Sequence, residues 1–515
     1  MFDRILVAGA AFALGATLLV APATAAPTTV GSAAPTQSKA AFASPPIDWG
    51  RCKDEFLRSS GARCGMLTVP LDHADPTGST IKLAVSRVKH RGQKYRGVMF
   101  TNPGGPGGSG TFVAAYGQFV PGKAASTYDW IGMDPRGVGD SRPALTCDKR
   151  FLEVGTRPPY DPTTDAIRDA WIAKAEEFAQ DCAESPAARL LPHMKTTDIV
   201  ADFEVLRETL NAEKVSFYGF SYGTYIAQVY ATLHPERLDK LVLDGVVDPR
   251  GIWYEANQTQ NVAFEKPIGR FFRWAARGHA DLRLGRTATE VEKTYYRVLR
   301  QLARKRVNNV GAADLSDVVL GAGYTNFLWP EVAQALSEIA NKGTARKARR
   351  LYTSDNPVVP RGDNGYVAYL ATVCTDAPWP TDLGQIQADN EAQAQDYPFL
   401  TWGNAWFNAP CRTWPAPAAA APVEIAAYDG SALLINETFD GATPIEGAYE
   451  VRRRFTNSVL LEGVNGTTHS SSLSGVGCVD NRIGKYLATG KLPERRSGDR
   501  ADVRCPAVPA PPPLE

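Results

Sequence analysis

Three residue types placed in a particular order could do acyl-transfer chemistry in this chain. Ser221 sits in Gly219-Phe220-Ser221-Tyr222-Gly223, after a run of β-formers from Val215 to Tyr218 and before a helical pattern carrying Ile226, Val229, Tyr230 and Leu233. A strand, a Gly-x-Ser-x-Gly turn and a helix together describe a nucleophile elbow, where glycines flank the serine because the strained turn leaves no room for side chains. A serine hydroxyl is a weak nucleophile and needs a base, and the base needs a third group to fix its tautomer. Of the six histidines, His73, His90 and His193 precede the elbow, His234 ends its helix, and His279 falls in a later helical stretch. His469 alone follows a predicted strand, Ser458 to Glu462, on the far side of the elbow. Asp440 lies in the loop after the predicted strand Ala432 to Asn436. The order Ser221, Asp440, His469 is the chain order of an α/β-hydrolase triad.

Such a site also needs two backbone N–H donors for the developing oxyanion, each worth about 3–4 kcal/mol of transition-state stabilisation. Tyr222, directly after the serine, would supply one. The other is expected from the glycine cluster Asn102-Pro103-Gly104-Gly105-Pro106-Gly107-Gly108-Ser109-Gly110, with Gly105 preferred and Gly104 left open beside it. The stretch Gly105 to Gly110 also satisfies GxGxxG, and Asp129 or Asp134 lies at the distance of a ribose contact, so dinucleotide binding is the rival reading. Prolines among these glycines and the lack of a clear helix start weigh against it.

The elements that must position these residues alternate. Cys52 to Asp72 and Ile81 to Val88 read as antiparallel strands about a turn at Asp75 to Gly78, followed by strands at Val98 to Thr101 and Tyr128 to Met133. Thr197 or Asp198 caps a helix with Ile199, Phe203, Leu206 and Leu210 on one face, and Leu241 to Asp244 follows the elbow. The class is α/β, a mainly parallel sheet flanked by helices. From Asp248 to Pro422 the pattern becomes helical and aromatic-rich, a cap inserted between core strands. The expected organisation is a signal peptide at 1–25, a linker or short propeptide at 26–46, core at 47–248, helical cap at 249–422, core again at 423–505, and a disordered proline-rich tail at 506–515.

Composition narrows the class further. The chain has 515 residues, 44% hydrophobic and 22% charged, and a formal net charge of +1, so nothing electrostatic calls for nucleic acid or an anionic membrane. The basic runs Arg346 to Arg350 and Arg452 to Arg454 read as solvated faces. Arg4, the apolar stretch Ile5 to Val20 and Ala23-Thr24-Ala25 form a secretory signal, which makes the expected location extracellular, with or without cell-wall association, and off the membrane after cleavage. In an exported chain the eight cysteines, without CxxC or zinc spacing, read as disulfides rather than metal ligands. Count alone does not choose a connectivity. Spacing points to neighbour pairs, Cys52 with Cys64, Cys147 with Cys182, Cys374 with Cys411, and Cys478 with Cys505. No metal or organic cofactor is called for, and a monomer is the simplest expectation.

The glycine cluster, Asp134-Pro135-Arg136-Gly137-Val138-Gly139-Asp140-Ser141, the elbow, Leu243 to Pro249 and the Asp440 and His469 loops together resemble the secreted bacterial tripeptidyl aminopeptidases, a prolyl-aminopeptidase-like branch of the α/β-hydrolases. The resemblance spans roughly residues 48 to 495. It implies Ser221, Asp440 and His469 as the triad, a helical lid, and release of short peptides, tripeptides foremost, from free N-termini. An extracellular carboxylesterase with the same triad is the alternative. Two departures are visible: Thr468-His469-Ser470 stands where relatives often carry Gly-His-x-Gly-like sequence, and a cysteine pair expected near Trp274 to Gly285 is missing. An aminopeptidase must also hold an ammonium group, for which a cap carboxylate is needed. Asp376, two residues after Cys374, whose disulfide could hold it, is the first candidate and Glu255 the second.

Overall fold

The computed structural model describes residues 42–92 and 94–514. The expected signal peptide and nearly all of the linker lie outside the described residues. Ten strands form one sheet: β1 Gly50–Arg51, β2 Arg63–Pro70, β3 Thr80–Val88, β4 Gly97–Asn102, β5 Tyr128–Met133, β6 Val215–Phe220, β7 Leu238–Asp244, β8 Ala432–Glu437, β9 Ser458–Val464 and β10 Val503–Pro506. Their order is β1-β2-β3-β5-β4-β6-β7-β8-β9-β10. Pairing is antiparallel from β1 through β3 to β5 and parallel from β5 to β10.

Period-2 alternation divides the central strands between two cores, because successive side chains leave a strand on opposite faces. Val98, Phe100, Phe217, Leu241, Leu434 and Leu460 pack on one side of the sheet. Met99, Tyr218, Val242, Leu433, Val459 and Leu461 pack on the other, under the helix Gly477–Thr489. With both faces covered, β6 and β8 are buried along their whole length. The parallel strands thus end together at one edge, where loops can converge.

Several predicted elements shift at their ends. The first antiparallel arm begins with a helix, Glu55–Ser59, capped by the Asp54 carboxylate, and only then becomes β2. The helix Thr196–Thr209 starts before the proposed caps. Asp198 instead sits in its first turn and accepts the Lys195 N–H at 3.1 Å. Arg452 is not on a solvated face: it is buried and donates to both carboxylate oxygens of Asp502, at 2.6 and 2.8 Å. The eight cysteines form Cys52–Cys64, Cys147–Cys182, Cys374–Cys411 and Cys478–Cys505.

Between β7 and β8 the chain is helical, and it divides by packing into two parts. Helices from Tyr254–Arg277 to Arg346–Asp355 share a core of their own built on Phe264, Phe271, Trp274, Tyr295, Trp329 and Leu336. The helix Asn364–Asp376 joins the main core instead, through Tyr366, Val367, Leu370 and Val373.

The tail expected to be disordered is docked as far as residue 514. The Val508 N–H donates to Glu437 Oε1 at 2.7 Å, Asn326 Nδ2 donates to the Val508 carbonyl at 3.0 Å, and Trp274 Nε1 donates to the Pro511 carbonyl at 2.7 Å. Prolines remove N–H groups but keep carbonyls, so an extended proline-rich segment can still bind through its acceptors.

Candidate active site

Ser221 occupies the tight turn between β6 and the helix Tyr222–Leu233, at φ 53° and ψ −126°. This is a conformation that L-residues rarely take, and it is held by three hydrogen bonds. The Ser221 N–H donates to the Asp244 carbonyl at 2.9 Å, and its own carbonyl accepts from the N–H and the hydroxyl of Thr224, at 2.8 and 2.6 Å. The flanking glycines are required by contact as well as by torsion. A Cβ on Gly219 would lie 2.4 Å from the Gly223 carbonyl oxygen, and one on Gly223 would lie 2.5 Å from the Asn102 carbonyl oxygen.

The glycine loop after β4 is pressed onto this turn. Gly104, at φ +97°, has no space for a Cβ: the atom would fall 2.8 Å from both Ser221 Cβ and the Tyr222 nitrogen. The two candidate oxyanion donors are separated by their partners. The Gly104 N–H is spent on Asn102 Oδ1 at 2.9 Å. The N–H groups of Gly105 and Tyr222 have no protein acceptor among the described residues, and both residues line the same cavity as Ser221. The dinucleotide reading loses its acidic partner here. Asp134 Oδ1 receives Ser109 Oγ and the N–H groups of Gly110 and Thr111, at 2.7, 2.9 and 3.0 Å, while Asp129 is occupied by His90.

The loops after β8 and β9 bring Asp440 to His469. The two residues pair through Asp440 Oδ2 and His469 Nδ1 at 2.8 Å. Asp440 is buried, and its other bonds come from the N–H groups of Ala442 and Thr443 and from the Thr443 hydroxyl, each at 2.9 Å. With Nδ1–H committed to a carboxylate, Nε2 is the nitrogen left to accept a proton. Burial by itself lowers the His469 pKa, but the Asp440 charge, the hydrogen bond to it and the more distant Asp244 carry it above the ordinary histidine value.

Gly245 is a site residue whose role the sequence did not reveal. It follows β7 at φ +68°, and a Cβ there would lie 2.9 Å from His469 Cε1 and 3.1 Å from Nδ1. Since Asp244, one residue earlier, holds the Ser221 N–H, this glycine lets the imidazole ring come down onto the elbow's neighbour. The signal was a glycine directly after a β-strand, which the strand pattern alone does not separate from an ordinary turn.

The cavity above Ser221 has a volume of about 340 Å³ and is roofed by the helical insertion. Neither carboxylate expected to meet a substrate amine faces it. Asp376 is buried, with Oδ1 accepting the Thr196 N–H at 2.6 Å and Oδ2 accepting Thr196 Oγ1 and Trp253 Nε1, at 2.6 and 3.1 Å. Thr196 Oγ1 also contacts the Tyr222 hydroxyl at 2.7 Å, so Asp376 braces the elbow helix from behind. Glu255 is exposed on the outside of the helix Tyr254–Arg277.

Two other carboxylates line the cavity, Asp248 and Asp317, and Asp248 is paired with Arg250 at 2.6 Å. Asp317 receives the Tyr160 hydroxyl at 2.8 Å and Arg157 at 2.7 Å, and its side chain keeps 29% of its surface exposed. The same guanidinium also pairs with Asp314 at 3.1 Å, and Arg157 and Asp314 are each only 2% exposed. One cation between two carboxylates leaves an excess of one negative charge, and Asp317 is the member that opens to the cavity. Sequence reasoning had no access to it, because Tyr160, Arg157 and Asp317 come from segments about 160 residues apart. Asn257 and Asn404 add amide groups to the same wall. Among the described residues, no group of three or more His, Cys, Asp or Glu side chains is disposed to hold a metal ion.

Comparison with known proteins gives consistent matches. A family model described as alpha/beta hydrolase fold matches residues 97–476. The chain is 35% identical to the tripeptidyl aminopeptidase of Streptomyces lividans, covering 89% of this chain and 86% of that protein. It is 29% identical to serine protease Hip1 of Mycobacterium tuberculosis, covering 87% and 90% of the two chains. Identity to carboxylesterase B of the same organism is also 29%, over 93% and 95%.

Proposed function

The chain belongs to the α/β-hydrolase family, in its tripeptidyl aminopeptidase branch, and from that premise we propose a secreted serine exopeptidase that removes short peptides, foremost tripeptides, from free N-termini. Ser221 Oγ attacks the scissile carbonyl while His469 Nε2 takes its proton. Asp440 keeps the imidazole in the productive tautomer and balances the imidazolium. The Gly105 and Tyr222 N–H groups receive the oxyanion. Collapse of the tetrahedral adduct breaks the C–N bond, and His469 returns the proton to the leaving amine. Water, deprotonated by the same histidine, then releases the acyl peptide and restores Ser221.

The observation that carries the exopeptidase reading is the charge imbalance in the cavity wall. An ammonium group entering from the Ser221 side would meet the exposed edge of Asp317, where Arg157 is already shared with Asp314. The cavity, at about 340 Å³, lies near the lower end of the roughly 300–1,000 Å³ typical of ligand pockets, which favours a few residues over a long chain. Export is supported by four disulfides, which persist in oxidising compartments. No helix among the described residues is long and apolar enough to cross a membrane.

The test compares a tripeptide chromogenic amide, its N-acetylated twin and a short acyl ester, with Ser221→Ala as the blank. Turnover of the free-amine amide that collapses on acetylation is the expected result. Equal turnover of both amides would contradict the need for a free N-terminus, and cleavage of the ester alone would favour the carboxylesterase reading.

A further inference from the structure

We propose that Glu437 is a positioning residue for catalysis, the carboxylate clasp through which the C-terminal segment and the cap hold the His469 loop in register with Ser221. Glu437 ends β8, three residues before Asp440, and is 1% exposed. Its two oxygens receive two backbone donors from different parts of the chain. Oε2 accepts the N–H of Thr468, the residue before His469, at 2.5 Å, and Oε1 accepts the N–H of Val508 in the tail at 2.7 Å. The surrounding backbone is cut to fit it. A Cβ on Gly466 would lie 2.2 Å from the Glu437 carboxyl carbon, and one on Gly463 would lie 2.8 Å from its Cγ.

The clasp has a second end on the cap. The His469 N–H donates to the Tyr324 carbonyl at 2.8 Å, at the end of the helix Ala312–Tyr324. Two residues later, Asn326 Nδ2 donates to the Val508 carbonyl. The peptide groups on both sides of Thr468 are therefore fixed, one to Glu437 and one to the cap, and Val508 bridges the same two anchors. An external carboxylate thus fixes the loop Thr468-His469-Ser470.

Two N–H donors aimed at two separate oxygens favour an ionised carboxylate. Protonation weakens one of these acceptors, and a glutamine turns it into a donor facing a donor. The groups around it work against ionisation. Burial, and then Asp440 on its own loop and Asp244 at the end of β7, push its pKa up to about 7 against the Thr468 and Val508 hydrogen bonds, which lower it. The His loop brings His469 one residue from the Thr468 donor, and the tail brings the Val508 N–H. Glu437 thus adds a second deprotonation to that of His469, whose pKa is also raised, and the acid limb of the rate profile belongs to both groups together.

This inference rests on His469 as the base, and the experiment separates the two claims. Steady-state kinetics on a tripeptide amide would be measured from pH 5 to 9 for the wild type, Glu437→Gln, a chain ending at Pro506, and Ser221→Ala. A displacement of the histidine loop by a fraction of an ångström to 1 Å lowers kcat by roughly 10- to 100-fold. That loss is expected for Glu437→Gln and for the shortened chain, with KM within about threefold, and with the acid limb of Glu437→Gln less steep than that of the wild type. Rates of fluorophosphonate labelling, which need no substrate, should fall in parallel. Wild-type kcat and an unchanged limb in Glu437→Gln, or a shortened chain with full activity, overturn the clasp. Should Glu437→Gln fail to fold, the shortened chain, which keeps Glu437, decides alone. Activity retained by Ser221→Ala would instead remove the premise.

Discussion

Asp440 and His469 meet at 2.8 Å through Oδ2 and Nδ1, and every other hydrogen bond to the carboxylate among the described residues comes from its own loop, from Ala442 and Thr443. The acid is therefore held by three short-range bonds that do not depend on the histidine, and its orientation survives when the histidine changes charge. Asp440→Asn would keep the shape but present an amide N–H or a neutral oxygen to Nδ1. By analogy with other serine triads, kcat should fall by about 10⁴-fold with little change in melting temperature. A loss below tenfold would show that another group orients the ring.

Gly245→Ala tests the space beneath His469. The new Cβ would stand 2.9 Å from Cε1 in a backbone conformation, φ +68°, that costs an alanine about 1–2 kcal/mol. Kinetics should show kcat reduced roughly 100-fold with KM nearly constant, and calorimetry a modest drop in stability. Unaltered kcat would mean that the ring can move aside without leaving register.

Asp317→Asn removes the surplus charge in the cavity and leaves Arg157 paired with Asp314. Loss of a charge-assisted bond to an ammonium is worth about 1.5–3 kcal/mol, or roughly 10- to 150-fold in kcat/KM for free-amine substrates. The slow cleavage of N-acetylated peptides should not change. An equal loss on both substrate types would make Asp317 a structural residue of the cap.

Stability and activity should move in opposite directions between pH 5 and 8. Burial raises the folded-state pKa of Asp244 and Asp376 to about 6 and that of Glu437 to about 7, whereas unfolded carboxyls titrate near 4. Between these values the folded chain holds protons that the unfolded chain has released, so stability declines as pH rises. His469, raised above its unfolded value, contributes stability below about 6.5 that is likewise lost as pH rises through its folded pKa. The lowered groups Asp202, Glu204, Glu450 and Asp502 act below about pH 4.5, outside this window. Melting temperature should thus be higher at pH 5 than at pH 8, while turnover, which needs neutral imidazole, should be higher at pH 8. Melting temperature that climbs with turnover across this range would contradict these assignments.

The elbow, the glycine loop and the strand ends carrying Asp440 and His469 were legible in the sequence because their constraints are local. A turn at φ 53° needs glycine neighbours within two residues, and a strand announces itself by its own run of apolar side chains. What the sequence did not disclose depends on distant segments meeting. Asp376 looked like a cap carboxylate facing substrate, but Thr196, 180 residues earlier, claims both of its oxygens. Asp317 is set apart only by Arg157 and Tyr160, which reach it from about 160 residues away. The tail looked disordered by composition, and its order comes from donors on Trp274, Asn326 and, through its own Val508 N–H, Glu437.

The most direct measurement is the site of covalent capture. A tripeptidyl fluorophosphonate, incubated with the enzyme and followed by intact-mass and peptide mass spectrometry, should add once per chain on the peptide containing Ser221. Ser221→Ala should take up no label and cleave no tripeptide amide, and Asp440→Asn should label far more slowly than wild type. Label on another residue, or amide cleavage that persists in Ser221→Ala, would contradict the account at its centre.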